Sequence, residues 1–527
     1  MSKRKKDDST GWEGEIEELR LRENLARQMG GEENLARHRA AGRLNVRERI
    51  HRLLDVGSFH ETGTITGIPT FEEGRLVKLF PSNFVMGTGR IEGRRVVVGA
   101  DDFTIRGGAA DAAIGRKAPY AERMALDLRL PMIRLVDGTG GGGSVKYLER
   151  MDRTYIPANP AMEIMTDLLS TVPVVSAALG SVAGLGAARV IFSHFSVMPR
   201  RTAQLFVAGP PVVEAAFGRR PEKEELGGSE IHTRGFGAVD NEASSEEDAF
   251  EQIRKFLSYL PDSVYEAPPV VQSADPPGRR EEELIRIVPR EKRRPYPVRR
   301  ILQLILDRES FFEIGGRHGT SVVTGLARLS GRPVGVMGHD PRFHGGAVTA
   351  HAADKMARFI DLCDTFHLPM VYFVDNPGFM IGVEAEKEGT IRFGGRFIFA
   401  VYQATVPWCS IILRRVFGVA GAAHGNHSRL NLRYAWPSGD WGSLPIEGGV
   451  QAAYRRQIEA AEDPQALREE IEKRLSAVTS PFRTAEMFGI EEIIDPRDTR
   501  PLLCEWVETA WKLLAGELGP KRRGMRP

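Results

Sequence analysis

The sequence predicts an α/β protein made of two domains in tandem, related by internal duplication. Three observations carry this: the two halves match each other, each copy alternates strand and helix patterns, and a Pro- and charge-rich stretch lies between them. With Asp102 written over Asp340, an offset of 238 residues, Gly107-Gly108-Ala109 falls on Gly345-Gly346-Ala347, Ala112 on Ala350 and Lys117 on Lys355. At the same offset Leu130-Pro131-Met132 falls on Leu368-Pro369-Met370 and Val136-Asp137 on Val374-Asp375. Upstream the offset is 252, which pairs Val46-Arg47 with Val298-Arg299, Leu54-Asp55 with Leu306-Asp307, and Ser58-Phe59 with Ser310-Phe311, while Glu61 and Gly63 meet Glu313 and Gly315. The difference of 14 residues predicts an insertion in the first copy between Gly63 and Asp102. Thr171-Val172-Pro173 and Thr405-Val406-Pro407 extend the match.

Each copy then reads element by element. Arg95 to Gly99 and Pro333 to Met337 are strands, and about Ala109 to Leu128 and Ala347 to Thr365 are helices. Pro131 to Val136 and Pro369 to Val374 are largely apolar runs followed by turn signals, the pattern of buried parallel strands. Val172 to Ala178 and Val406 to Leu413 are the next strands, giving right-handed βαβ units. The opening stretch Glu13 to Leu54 reads as amphipathic helix, and Asp463-Pro464 is an N-cap with Pro at the first helical position of a helix reaching Leu475. Residues 1–262 form the expected first domain, 263–296 a linker and 297–527 the second domain.

Composition narrows the class. In 527 residues, 72 Lys plus Arg face 70 Asp plus Glu, and the net charge of +2 argues against a dedicated nucleic-acid partner. The basic tails Lys3 to Lys6 and Lys521 to Arg526 read as solvated ends. Cys363, Cys409 and Cys504 are too scattered for a disulfide framework or a four-Cys zinc site, and the first ten residues lack the apolar stretch of a secretory signal. A reduced, cytoplasmic protein is expected. Leu168 to Ala188 is uncharged and long enough to span a bilayer, but its Ser, Pro and Gly content suits a strand, a turn and a helix start; Phe397 to Leu413 holds the equivalent place, so no membrane span is expected.

The chemistry is sought in the loops after the parallel strands. Gly180-Ser-Val-Ala-Gly-Leu-Gly186 and Phe417-Gly-Val-Ala-Gly421 are small-residue turns at equivalent places. Such turns let the backbone approach a ligand and point amide N–H groups outward at a helix start. Two adjacent amides aimed at one carbonyl oxygen form an oxyanion hole. A single such loop is more often a tight turn; two in register imply two carbonyls. Asp137 to Ser144 and Asp375-Asn-Pro-Gly-Phe379 lie at the carboxyl ends of strands, where ligands bind in open sheets, but no Lys-Ser/Thr pair follows the glycines and a Walker loop is excluded. Asp137 and Asp375 share a strand-end position, which favours a structural role. His339, His344, His424 and His427 form no metal motif, and no Gly-X-Ser-X-Gly elbow or activated Cys is present.

These pieces resemble a known family. Gly42-Arg-Leu-Asn-Val-Arg-Glu-Arg-Ile50, Leu54-Asp-Val-Gly-Ser-Phe59, Ala208-Gly-Pro-Pro-Val-Val213, Glu225-Leu-Gly-Gly-Ser-Glu-Ile-His232, Gly235-Phe-Gly-Ala-Val-Asp240, Lys355-Met-Ala-Arg-Phe-Ile360, Val374-Asp-Asn-Pro-Gly-Phe379 and Tyr434-Ala-Trp-Pro437 are similar to the carboxyltransferase (β) subunits of biotin-dependent acyl-CoA carboxylases of the propionyl-CoA and methylcrotonyl-CoA type. The resemblance covers nearly the whole chain. It implies two tandem crotonase-like (ClpP/crotonase) domains and transfer of CO2 from carboxybiotin to the α-carbon of an acyl-CoA. The freed ureido nitrogen of biotin takes the α-proton, and paired backbone amides offset negative charge on the urea and the enolate.

Carried over, the acyl-CoA hole falls on Gly184 and Leu185 and the biotin hole on Val419 and Ala420, with Gly186, Gly418, Gly421 and Ala422 beside the bound reactants. Sites between opposed domains of two protomers imply a dimer at minimum and a hexamer by family habit. No Met-Lys-Met biotinylation site or ATP-grasp loop is found, so biotin is expected on a partner that holds or binds a biotin carboxylase. The sequence departs from the family at Leu185 and Val419, where glycines are usual, and in the extra glycines after Asp137. It also lacks the acidic residue that short-chain members place near Gly421 and Ala422, which predicts a roomier or more apolar acyl pocket. Alternatives are the carboxyltransferase part of a biotin-dependent decarboxylase and a non-catalytic scaffold; a hydratase needs a carboxylate pair that the loops lack.

Overall fold

The computed structural model describes residues 11–109, 112, 114–138, 140, 148–149, 152–154, 156, 161–426, 430, 432–522 and 524–525. The chain divides into two compact units. The first holds the chain up to Leu168, then Val172–Ser229 and Glu242–Arg254; the second holds Leu169–Thr171, Glu230–Asn241 and Lys255–Pro527.

The first sheet is built from β1 (His60–Glu61), β4 (Phe84–Ile91), β5 (Arg94–Asp101), β6 (Met132–Val136), β7 (Val174–Ala178), β9 (Phe195–Pro199) and β11 (Asn241–Ala243), in that spatial order. The pair β4–β5 is antiparallel, while β5–β6, β6–β7 and β7–β9 are parallel, with Met132 opposite both Val97 and Val174. The second sheet repeats the plan in the order β12 (Phe312–Ile314), β13 (Val322–Leu329), β14 (Arg332–His339), β15 (Met370–Asn376), β16 (Trp408–Phe417), β17 (Leu432–Ala435) and β19 (Glu492–Ile493), with β18 (Asp440–Gly442) also on β16. Again one antiparallel pair, β13–β14, leads into parallel partners, with Met370 opposite Gly335 and Trp408. The strands β6 and β15 are buried along their whole length, as their apolar runs require.

Matched residues do matched work. Asp55 accepts from the Glu92 and Gly93 amides at 2.9 and 2.8 Å, and Asp307 from those of Ser330 and Gly331 at 3.1 and 2.8 Å. Arg47 pairs with Glu61 and Arg299 with Glu313. The predicted insertion is a hairpin, β2 (Gly67–Glu72) with β3 (Arg75–Pro81), which exposes Ile68, Phe71 and Val77. The helices start later than the pattern predicts, at Lys117 and Ala350. Before them lie equivalent tight turns, in which Gly107 and Gly108 have φ of +66° and +65° and Gly345 and Gly346 +61° and +83°. Positive φ stops an L-residue helix from forming there.

Residues 263–296 contain one short helix, Leu284–Ile287, and pack within the second unit. Leu284 and Tyr296 join its core, and Arg279 ties Asp275 and Glu281 to the carbonyls of Leu304 and Leu306. The uncharged runs become β7, β8 (Ser181–Ala183) and a helix start in one half, and a helix end with β16 in the other. Among the described residues no helix is long and apolar enough to cross a membrane. The C-terminal helical region includes Pro464–Ser476, capped by Asp463, whose side chain accepts from the Ala466 amide at 3.0 Å.

Candidate functional site

The two small-residue loops are the same device. In the first unit β8 pairs with β10 (Gln204–Phe206) and ends at Ala183; Gly184 then turns the chain with φ +59° and ψ −124° into the helix Leu185–Ile191. In the second, β16 runs directly into the five-residue helix Gly418–Ala422, whose Gly418 has φ +63°. An offset of 234 places Gly184 on Gly418, Leu185 on Val419 and Gly186 on Ala420. The first amides of a helix have no intrahelical acceptor. Among the described residues, the N–H groups of Leu185, Gly186, Val419 and Ala420 find none elsewhere. The Gly184 N–H is different, because it donates to the Phe206 carbonyl at 3.3 Å. Leu185 and Val419 stand 44% and 68% exposed, so the open amides lie at the surface of each unit.

The remaining small residues have packing roles. A Cβ on Gly186 meets Val182 Cγ1 at 3.0 Å, and one on Gly421 meets the Val416 carbonyl carbon at 2.9 Å. Both positions therefore hold a helix close against its strand. Ala422 is exposed, and Ala420 is buried.

Asp137 and Asp375 are buried at strand ends and bound by arginine. Arg49 Nη1 meets Asp137 Oδ2 at 2.7 Å, and its Nε meets Glu246 at 2.7 Å, while Nη2 also donates to the Leu179 carbonyl at 2.9 Å. The Asp137 carboxylate abuts the loop so closely that a Cβ on Gly180 falls 2.0 Å from Oδ1. Asp375 accepts from Arg415 Nε at 2.6 Å, Arg414 Nη2 at 3.0 Å and the Tyr296 hydroxyl at 3.0 Å. Burial pushes the Asp375 carboxyl up, but Arg415 and Arg414 outweigh it and hold the group below its ordinary value. A carboxylate so engaged is a brace and no free base.

The histidines are scaffold of the same kind. His339 uses both ring nitrogens, Nδ1 on the Gly346 carbonyl at 2.7 Å and Nε2 on the Tyr372 hydroxyl at 2.6 Å, and burial lowers it to about 4. His424 Nδ1 lies 2.7 Å from the Gly421 carbonyl, fixing the end of the second loop. His344 is exposed beside a cavity of about 670 Å³ that His318, Phe343, Met380 and Ile381 also line. His427 lies outside the described residues, as do Thr139 and 141–144 of the run from Asp137 to Ser144. Among the described residues no group of three His, Cys, Asp or Glu side chains suits a metal. All three cysteines are buried, and burial raises their thiols above the ordinary value.

Two lysines matter more than their sequence match revealed. Lys117 Nζ donates to the Gly63 carbonyl at 3.0 Å, and Lys355 Nζ to those of Gly315, His318 and Val322 at 3.1, 2.6 and 2.6 Å. Each ties the loop before the sheet to the helix after the tight turn. The paired Lys and Gly positions were the available signal; their contact was not.

Comparison with known proteins decides among the readings. Residues 37–525 match the carboxyl transferase domain. The chain belongs to that family. It is 34% identical over 494 residues to the carboxyltransferase subunit of propionyl-CoA carboxylase from Haloferax mediterranei, covering 93% of this chain and 94% of the relative. It is also 34% identical over 497 residues to the beta4 subunit of a biotin-dependent long chain acyl-coenzyme A carboxylase from Mycobacterium tuberculosis, covering 93% and 92%. Among solved structures it is similar to the transcarboxylase 12S hexamer with methylmalonyl-coenzyme A and methylmalonic acid bound, at TM-score 0.85 and 28% identity over 98% of both chains. The fold is that of tandem crotonase-like domains, as the internal match predicts.

Proposed function

We propose that the chain is the carboxyltransferase subunit of a biotin-dependent acyl-CoA carboxylase, moving a carboxyl group onto the α-carbon of an acyl-CoA thioester. The observation that carries this is the pair of register-equivalent helix starts, each with two amide donors open and a positive-φ glycine before them. In this reading residues 1–262 serve the acyl-CoA, 297–527 the biotin, and 263–296 connect them.

The residues act as follows. The N–H groups of Leu185 and Gly186 meet the thioester oxygen as enolate charge grows on it, and Gly184 supplies the turn that aims them. The N–H groups of Val419 and Ala420 fit the ureido oxygen of biotin, with Gly418 as the turn. Biotin, when bound, supplies the carboxyl group and a ureido nitrogen as the base. Each donor is worth roughly 3 kcal/mol in the transition state, because a preorganised amide needs no reorganisation when charge appears. A residue with a side chain keeps its N–H, so Leu185 and Val419 do not close the holes. The exposed Val419 and Ala422 give the second loop an apolar rim, which favours an acyl group larger than acetyl or propionyl. The reading includes a biotin carboxylase or biotin carboxyl carrier partner, a dimer at minimum assembled toward a hexamer, and a cytoplasmic setting.

Leu185→Pro tests it, because proline at the first helical position removes one N–H and spares the helix. Decarboxylation of methylmalonyl-CoA with free biotin, followed for Leu185→Pro and Val419→Pro, is expected to lose about 100-fold or more in kcat. Leu185→Ala and Val419→Ala are expected to keep wild-type kcat. Full activity in both proline variants defeats the backbone mechanism.

A further inference from the structure

We infer that the turn around Arg200–Gln204 of the first unit, with Arg43 and Lys223 laid against it, is a phosphate subsite for the nucleotide end of the CoA thioester. The inference rests on the acyl-CoA reading of the neighbouring loop.

The cluster is short of anions. Among the described residues, none of Arg43, Arg200, Arg201 and Lys223 is in an ion pair. Carboxylates lie close by and are already committed, Glu225 to Arg219 at 2.9 Å and Glu214 to Arg220 at 3.6 Å. The cations are held in place by neutral groups. Arg43 Nη2 donates to the Thr202 carbonyl at 2.8 Å, and its Nε is buried with no hydrogen-bond partner. Lys223 Nζ donates to Ser181 Oγ at 3.1 Å, while that hydroxyl donates to Gln204 Oε1 at 2.9 Å. An ammonium has three donors, so Lys223 keeps two for a ligand. Arg200 and Arg201 are exposed on the same turn.

Gathering like charges without a counter-ion is costly. Burial lowers Lys223 from its ordinary value, and Arg43 and Arg220 lower it further against the pull of Asp137. A phosphate relieves that repulsion and matches the forked donors of arginine. The position fits the same ligand that reaches Leu185. Ser181 opens β8, which runs straight to Gly184, about 10 Å away at the rise of a strand. Reactive and nucleotide ends then bind along one strand.

The test compares ligands with and without phosphate. Full-length wild-type protein and the Lys223→Gln and Arg201→Gln variants are titrated with CoA, dephospho-CoA and pantetheine. Each variant is expected to weaken CoA about 10-fold and leave pantetheine unchanged, with Lys223→Arg restoring CoA binding. A loss shared by CoA and dephospho-CoA places the diphosphate here; a loss for CoA alone places the 3′-phosphate. Unchanged CoA affinity, or equal losses for CoA and pantetheine, overturns the subsite and leaves the acyl-CoA reading standing. Wild-type protein that binds neither CoA nor pantetheine overturns both.

Discussion

The two halves solve one problem with different parts. Both end a central strand in a buried aspartate beside a small-residue loop. In the first half the counter-charge is a single residue, Arg49, which also holds Glu246. In the second it is shared by Arg414 and Arg415 from the adjacent strand and by Tyr296. The position equivalent to Arg49 is Ile301, a core residue. The duplication thus preserved the need for a neutralised carboxylate under the loop, and left the source of the charge free to change.

That contrast predicts unequal fragility, from the largest effect down. Arg49→Met strands two buried carboxylates and is expected to cost about 3–5 kcal/mol in urea unfolding. Arg415→Met leaves Asp375 with Arg414 and Tyr296, and is expected to cost about 1–2 kcal/mol. Equal costs would show that shared neutralisation gives no redundancy.

The lysines sharpen the comparison. Lys355→Met unsatisfies three carbonyls where Lys117→Met unsatisfies one, so losses of about 3 and about 1 kcal/mol are expected. Burial lowers Lys355 to about 7 and Lys117 to about 8 from an ordinary 10.5. Between each lowered value and 10.5 the unfolded chain binds more protons than the folded one, so stability rises with pH across that window. In Lys355→Met this rise is expected to flatten between about pH 7 and 10.5, as read by urea midpoints.

The smallest difference is local. The helix Val46–Leu53 has a full capping box, in which Asn45 accepts from Arg47 and Glu48 amides and Glu48 reaches back to Asn45; its counterpart Val298–Ile305 follows Pro297 with no side-chain cap. Asn45→Ala is expected to lower stability by about 1 kcal/mol. Pro297→Ala has no such bond to lose, and a thermal shift equal to that of Asn45→Ala would count against the cap.

Much of the fold was legible because it is written locally and written twice. The apolar runs of β6 and β15, the turn at Gly107 and Gly345, and the 14-residue excess that became the β2–β3 hairpin all follow from short-range pattern. The loops were found for the same reason. Their finer geometry was not legible, because the Gly184 amide is engaged by Phe206, a residue that only strand pairing brings near. The charged, Pro-rich stretch 263–296 looked like a tether, yet Arg279 finds its acceptors in Asp275, Glu281 and two carbonyls of another helix.

By itself, then, the amino-acid order determined the repeat, the alternation of strands and helices, and where glycine breaks them, since these depend on dihedral freedom and side-chain period within a few residues. Tertiary packing decided which amides stay open, which arginine meets each aspartate and which carbonyls surround each lysine. Such partners lie up to 88 residues apart, as Arg49 and Asp137 do, and no local preference specifies a contact made only when the sheet closes around it.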